Sequence, residues 1–205
     1  IQRFSEDIDV TVFRDDLGIP ASVENLAALS GKKRSAALDA IKEACEVYIN
    51  GPLAERLATI CAETCARTGL GQDALTVKAD AHDRQTLLLG YPSVTPTDAY
   101  IAKSVKIESG AKSALDPYSV RTITPYVDAD VPRFDLVVPG ITVVDAERTF
   151  WDKVVILHGL RRWYDIRGLL RGNGQRISRH YYDLFRMLQS DSGKAATKDA
   201  ALGAD

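Results

Sequence analysis

The sequence predicts an α+β fold in which helices are grouped around a mixed or antiparallel sheet. Three observations support this: a strand pattern at the start of the chain, a long helical stretch after it, and a middle block of short strands that gives way to helices. Runs of strands and runs of helices, without strict alternation of the two, are typical of α+β proteins.

The first predicted strand covers residues 6–13. Within it Ile8 and Val10 alternate with Asp7 and Asp9, so the apolar residues share one face and the two acids share the other. The carboxylates then lie roughly 6–7 Å apart along the strand, a spacing that suits one or two hard cations. Acid pairs also occur at exposed strand edges, so the spacing alone leaves both interpretations open.

A helical insertion follows at about residues 21–69. Ile41, Cys45 and Tyr48 recur at helical spacing, which predicts an amphipathic helix. The sequence Asn50-Gly51-Pro52 predicts its end, because Gly favours a helix C-terminus and Pro favours the first turn of the next helix.

The rest of the chain predicts strands and then helices. Strands are expected over residues 75–78, 86–91, 102–111, 134–138 and 142–144, and helices from about Ala146 and around residues 181–188. We therefore divide the chain into a core sheet with its insertion (1–145), a C-terminal helical part that completes the site (146–190) and a disordered tail (191–205), since the tail residues are small and polar.

The composition is that of an ordinary globular protein. The chain has 205 residues, of which 45% are hydrophobic and 26% charged. No apolar run approaches the length of a membrane span, no signal peptide is visible, and three cysteines are too few for a disulfide framework. These features predict a cytoplasmic protein without a membrane partner. Phosphate-loop, dinucleotide-binding, zincin and serine-hydrolase motifs are all absent from the sequence.

The net charge is −2, but basic residues are concentrated late in the chain. Such a patch can steer RNA or a nucleotide, and it can equally be a solvated helix face and loop. The arginines concerned are Arg161, Arg162, Arg167, Arg171, Arg176, Arg179 and Arg186.

Glu108 is the best candidate for a third carboxylate, because it shares a predicted strand face with Lys106 at the end of a β segment. Three carboxylates on adjacent strands would bind two Mg²⁺ ions, which assist in-line displacement at phosphorus. The alternative for Glu108 is a surface salt bridge with a neighbouring lysine.

Lys153 and Asp183 lie on the predicted C-terminal helices. Most helical lysines face solvent, and an acid near the start of the last helix, where we expect Asp183, is favourable to the helix dipole. The functional alternative for Asp183 is a base or orienting group for an acceptor hydroxyl.

Six segments carry a pattern that extends over most of residues 1–190: RFSEDID (3–9), TLLLGYPS (86–93), VKIESGAKS (105–113), RTITPY (121–126), AERTFWDKVVILH (146–158) and SRHYYDLFRML (178–188). Together, and in this order, they resemble the AbiEii-type nucleotidyltransferase toxins, a family of the DNA polymerase β-like nucleotidyltransferase superfamily. The resemblance implies a polymerase β-like core.

The resemblance implies roles for single residues. Asp7 and Asp9 would be the catalytic, metal-binding acids of the family's Asp-x-Asp motif, Lys153 would contact the nucleotide triphosphate, and Asp183 would be the acid of the final motif. Glu108 as a third metal ligand remains an inference from strand geometry. The cofactor implied is Mg²⁺, as two ions, and the substrate is a nucleoside triphosphate (NTP).

The resemblance also implies a biological setting. Family members are toxins of toxin–antitoxin pairs, some linked to abortive phage infection, and relatives transfer a nucleotide to an acceptor such as the 3′ end of tRNA with release of pyrophosphate. The expected partners are an NTP, tRNA or another RNA, and a cognate antitoxin. The alternatives are a catalytically silent module that binds antitoxin or RNA, and a two-metal phosphohydrolase.

The family carries a Gly-Gly-[Thr/Ser]-Ser loop before the Asp-x-Asp strand, and this loop holds the triphosphate. The sequence begins at Ile1, after that point. We therefore expect it to be an N-terminally truncated part of a longer product, whose transferase activity depends on the loop.

Overall fold

A computed structural model of the protein describes residues 7–19, 22–93, 103–111, 116–131, 136–174 and 177–204. It confirms the predicted α+β class, with a mixed sheet and helices in one chain. The chain divides into two units, Arg3–Ala114 and Leu115–Asp205 (with the first two residues). The boundary near residue 145 predicted from the sequence falls inside the second of these units.

The first unit contains a four-stranded sheet. Its strands are β1 (Asp7–Thr11), β2 (Thr76–Ala79), β3 (Thr86–Gly90) and β4 (Ser104–Gly110). They are ordered β1-β4-β3-β2, with β1 parallel to β4 and the other neighbours antiparallel. The sheet is therefore mixed, and β1 lies at its edge.

Three helices lie between β1 and β2 in the chain: α1 (Val23–Ala27), α2 (Gly31–Tyr48) and α3 (Ala54–Thr68). The predicted break at Asn50-Gly51-Pro52 was wrong, because a wide π-helical turn over Ile49–Leu53 continues α2 into α3. The Asn50 side-chain amide joins this turn to the segment before β3, because it donates to the carbonyls of Glu46 (2.8 Å) and Arg84 (2.7 Å).

The core of the first unit lies between one sheet face and α2. Ile41, Cys45 and Ile49 are fully buried and cluster with Leu87 of β3. Burying each Ile or Leu contributes about 1.5–3 kcal/mol. Ile8 is on the same sheet face but is 53% exposed, because β1 is an edge strand.

The second unit combines a two-stranded sheet with four helices in its described part. Strands β5 (Tyr118–Ile123) and β6 (Val138–Val144) pair antiparallel. The helices are α4 (Ala146–Arg167), α5 (Ile177–Leu188), α6 (Asp191–Ala196) and α7 (Ala200–Ala204). Phe150, Met187 and Ala196 form its core.

Three expectations for this unit differ from the structure. Strand β5 was missed, although Tyr118 and Val120 alternate with polar residues in its first half. Of the strand predicted over 134–138, the first two residues lie outside the described ones, and Val138 begins β6. The tail predicted to be disordered forms α6 and α7, because Ala196 is buried against α4 and α5.

Candidate functional site

The acidic pair lies on β1, as the alternation predicts. Asp7 is half-buried and Asp9 is exposed. Because they are two residues apart on one strand, their side chains project from the same face, roughly 6–7 Å apart along it. This face is opposite the one that packs on α2.

Parallel pairing of β1 with β4 brings Glu108 beside the acidic pair. Asp9 is aligned with Glu108, and Asp7 is aligned with Lys106. Aligned residues on neighbouring strands project from the same face about 4.8 Å apart. One sheet face therefore carries three acids and one lysine in two adjacent rows.

Lys106 holds Glu108 in an ion pair, with Nζ 2.7 Å from Oε1. The pair is the salt bridge that the sequence offered as the alternative for Glu108. The hydrogen bond to Glu108, reinforced by its negative charge, raises the pKa of Lys106 above its ordinary value of 10.5. Both side chains are 38% exposed, so solvent weakens the pair.

Asp83 and Thr86 form a second polar contact beside this face, and sequence reasoning missed it. Thr86 is fully buried and pairs with Glu108 across β3 and β4. Its hydroxyl donates to Asp83 Oδ2 at 2.7 Å, and this bond, together with the Gln85 amide, lowers the pKa of Asp83. The spacing Asp-x-x-Thr before a strand was the available signal.

Asp7 and Asp9 fit the coordination chemistry of Mg²⁺. Mg²⁺ in phosphate-transfer enzymes commonly takes one or two carboxylates and completes its shell with water and substrate phosphates. Within the ranges that the structure describes, no three Asp, Glu, His or Cys side chains converge closely enough to hold a metal. Asp7 and Asp9 are therefore two carboxylates on one strand face, and Glu108 on the next strand is engaged by Lys106.

In the second unit, Lys153 and Asp183 are in direct contact. Lys153 Nζ lies 2.9 Å from Asp183 Oδ2, and the two side chains are 17% and 1% exposed. Lys153 therefore does not face solvent, as most helical lysines do. Asp183 lies in the middle of α5, which is not the last helix, so its expected place near a helix start was wrong.

The late arginines are dispersed along this unit. Arg161 pairs with Asp165 on α4 (2.9 Å), while the guanidinium groups of Arg167 and Arg171 lie over the Trp163 ring at 5.0 and 5.6 Å. Each arginine over the ring gains a cation–π attraction. Arg176 lies outside the described residues.

No helix in the described part of the chain combines the length and apolarity that crossing a membrane requires. Neither a curated protein nor a solved structure matches the chain. The family model described as "Nucleotidyl transferase AbiEii toxin, Type IV TA system" matches residues 1–204.

Proposed function

The chain belongs to the AbiEii family of nucleotidyl transferase toxins of type IV toxin–antitoxin systems, and from this we propose that it transfers a nucleoside monophosphate from an NTP to RNA in a Mg²⁺-dependent reaction that releases pyrophosphate. The 3′ end of tRNA is the proposed acceptor. These reactants place the proposed reaction in the cytoplasm, where a cognate antitoxin would oppose it.

The observation that carries the proposal is the acidic face of β1 and β4. Asp7 and Asp9 project from it together, and Glu108 is aligned with Asp9 on the next strand. We assign metal binding to Asp7 and Asp9. Glu108 would be an additional ligand once its carboxylate exchanges the ammonium group of Lys106 for the metal ion. When bound there, the chemistry that Mg²⁺ supplies is neutralisation of charge on the reacting phosphate oxygens.

We assign the triphosphate contact to Lys153. Its ammonium group can neutralise charge that develops on phosphate oxygens as the acceptor hydroxyl attacks the α-phosphorus. Asp183 accepts from Lys153 Nζ at 2.9 Å and is almost completely buried. We therefore propose that Asp183 orients the lysine, which makes it a positioning residue.

The test is transfer of label from α-labelled NTPs, supplied one at a time with Mg²⁺ and total RNA. We expect wild-type protein to label RNA and Asp9→Asn to lower the rate at least about 100-fold, the usual cost of removing one electrostatic stabiliser. Asp16→Asn is the matched control, because Asp16 is an exposed acid in the turn after β1.

Three other outcomes contradict parts of the proposal. Equal labelling by wild type and Asp9→Asn would exclude Asp9 from catalysis. Release of inorganic phosphate without pyrophosphate would indicate a phosphohydrolase. Binding of RNA or antitoxin with no labelling by any NTP would indicate a silent binding module.

A further inference from the structure

A cavity of about 460 Å³ opens in the second unit at the start of α4. This volume lies in the range of ligand pockets. Its wall is formed by the ends of several elements: β5, β6, α4, α5 and α6. The residues that matter for its chemistry are Arg121, Asp145, Ala146, Thr149, Arg186 and Ser192.

The charged groups of the cavity give it a net positive charge. Arg121 and Arg186 line it, and Asp145 is the one acid among the lining residues that the structure describes. Arg121 already contacts Asp145 at 3.5 Å. Arg186 is half-buried and has no acidic partner within the described parts of the chain. One guanidinium group in the cavity is therefore uncompensated.

The start of α4 adds hydrogen-bond donors to the same cavity. Asp145 precedes α4, but its side chain does not cap the helix, because it accepts from Ser119 and Arg121 instead. The amides of Ala146 and Glu147 have no acceptor among the described residues. The first turn of this 22-residue helix is thus a partial positive charge beside Arg186.

The cavity adjoins the Lys153–Asp183 pair. Thr149 precedes Lys153 by four residues on α4, and Arg186 follows Asp183 by three residues on α5, so each lies about one helical turn from the pair. The two helices therefore run antiparallel here. The cavity lies one turn beyond the Lys153–Asp183 pair along the α4–α5 contact.

We propose that this cavity is a phosphate-binding site. The guanidinium group of Arg186 and the uncapped helix amides match the oxygens of a phosphate, and Thr149 and Ser192 offer further hydroxyl donors, while Arg121 adds a second positive charge that is partly offset by Asp145. The phosphate comes from a polynucleotide backbone or from a free nucleotide. The site deepens the proposed function and rests on it only for the choice of RNA as the probe.

The test measures binding of a fluorescent single-stranded RNA by anisotropy, without Mg²⁺ or NTP. Arg186→Gln should weaken binding about tenfold, which is the effect of losing one charge-assisted hydrogen bond. The slope of the logarithm of the binding constant against the logarithm of the salt concentration should fall by about one, as expected for the loss of one phosphate contact. Inorganic phosphate should compete with RNA for wild type but much less for Arg186→Gln. Arg121→Gln provides a second variant of the same cavity.

Arg162→Gln is the matched control, because Arg162 is an exposed helical arginine outside the cavity and its replacement removes the same charge. Equal loss of affinity in Arg162→Gln and Arg186→Gln, with equal phosphate competition, would overturn the site. Thermal unfolding of each variant checks folding, and Arg186→Lys tests the same contact if Arg186→Gln unfolds.

Two arms separate the sources and keep the site distinct from the transferase reaction. If Arg186→Gln weakens binding of a non-hydrolysable ATP analogue but not of RNA, the phosphate belongs to a free nucleotide. If Arg186→Gln weakens RNA binding while wild type transfers no nucleotide, the site stands and the transferase proposal fails. If transfer is observed but Arg186→Gln binds RNA, the ATP analogue and phosphate as wild type does, the transferase proposal stands and the phosphate site fails.

Discussion

Within the described residues, each of the two units has a lysine–acid pair among the residues assigned to chemistry, and these two pairs differ in burial. Lys106 and Glu108 meet at 2.7 Å on an open strand face, with both side chains 38% exposed. Lys153 and Asp183 meet at 2.9 Å between helices, with side chains 17% and 1% exposed. Nearly equal distances therefore occur in very different surroundings.

The difference in burial determines what each pair can do. An exposed pair contributes at most about 1 kcal/mol, so Glu108 can exchange Lys106 for another cation at little cost. A buried pair has already lost its hydration, and removing one partner leaves an uncompensated charge. The strand pair is thus suited to ligand exchange, and the helix pair is suited to holding a lysine in a fixed position.

The largest expected effect is that of breaking the buried pair. Lys153→Met should lower the free energy of unfolding by about 3–5 kcal/mol, because it breaks a buried ion pair and Asp183 stays buried after losing the contact with Lys153. Lys106→Met is the matched control and should cost at most about 1 kcal/mol. Chemical denaturation of both variants measures the difference.

A double variant sharpens this comparison. Lys153→Met combined with Asp183→Leu removes both buried charges and should recover most of the stability lost in the single variant. Equal destabilisation by Lys153→Met and Lys106→Met would show that burial does not distinguish the two pairs.

The acidic face was predictable because it depends on local alternation. Asp7 and Asp9 on one strand, and Lys106 and Glu108 on another, follow from a side-chain period of two. The parallel register that aligns Asp9 with Glu108 was not predictable, because it is set by pairing of segments about 100 residues apart.

The buried pair and the ordered tail were harder to predict for a similar reason. The burial of Lys153 depends on α5 lying against α4, and composition alone cannot indicate that contact. Residues 191–204 look polar and small, but their small residues allow close packing: Ala196 is fully buried, and Trp151 Nε1 donates to its carbonyl at 3.1 Å.

The second largest effect concerns the packing of α6 against α4 and α5. A Cβ at Gly193 would clash with the Met187 carbonyl where α6 meets α5. Gly193→Ala should therefore cost about 1–3 kcal/mol. Gly159→Ala in α4 is the control, because a Cβ there meets nothing within 4 Å and should stabilise the helix by up to about 1 kcal/mol.

Thermal and chemical unfolding of the two glycine variants measure this effect. A normal stability for Gly193→Ala would show that α6 does not pack tightly on α5. The order of the C-terminal helices would then rest on the contacts of α4 with α5 and α6.

The smallest expected effect tests the electrostatics of the Asp83–Thr86 contact beside the acidic face. Thr86 lowers the pKa of Asp83 below its ordinary value of 3.8, so this bond stabilises the fold above that pH and loses its contribution as pH falls through the lowered pKa. In Thr86→Val the pKa of Asp83 should rise. The stability difference between wild type and Thr86→Val should therefore be constant above about pH 5 and shrink in acid.

Unfolding measured as a function of pH tests this, and Asp83→Asn should remove the same pH-dependent part of the stability. A stability difference that grows as the pH falls would contradict the assignment, since it would mean that a protonated Asp83 is the form that Thr86 stabilises.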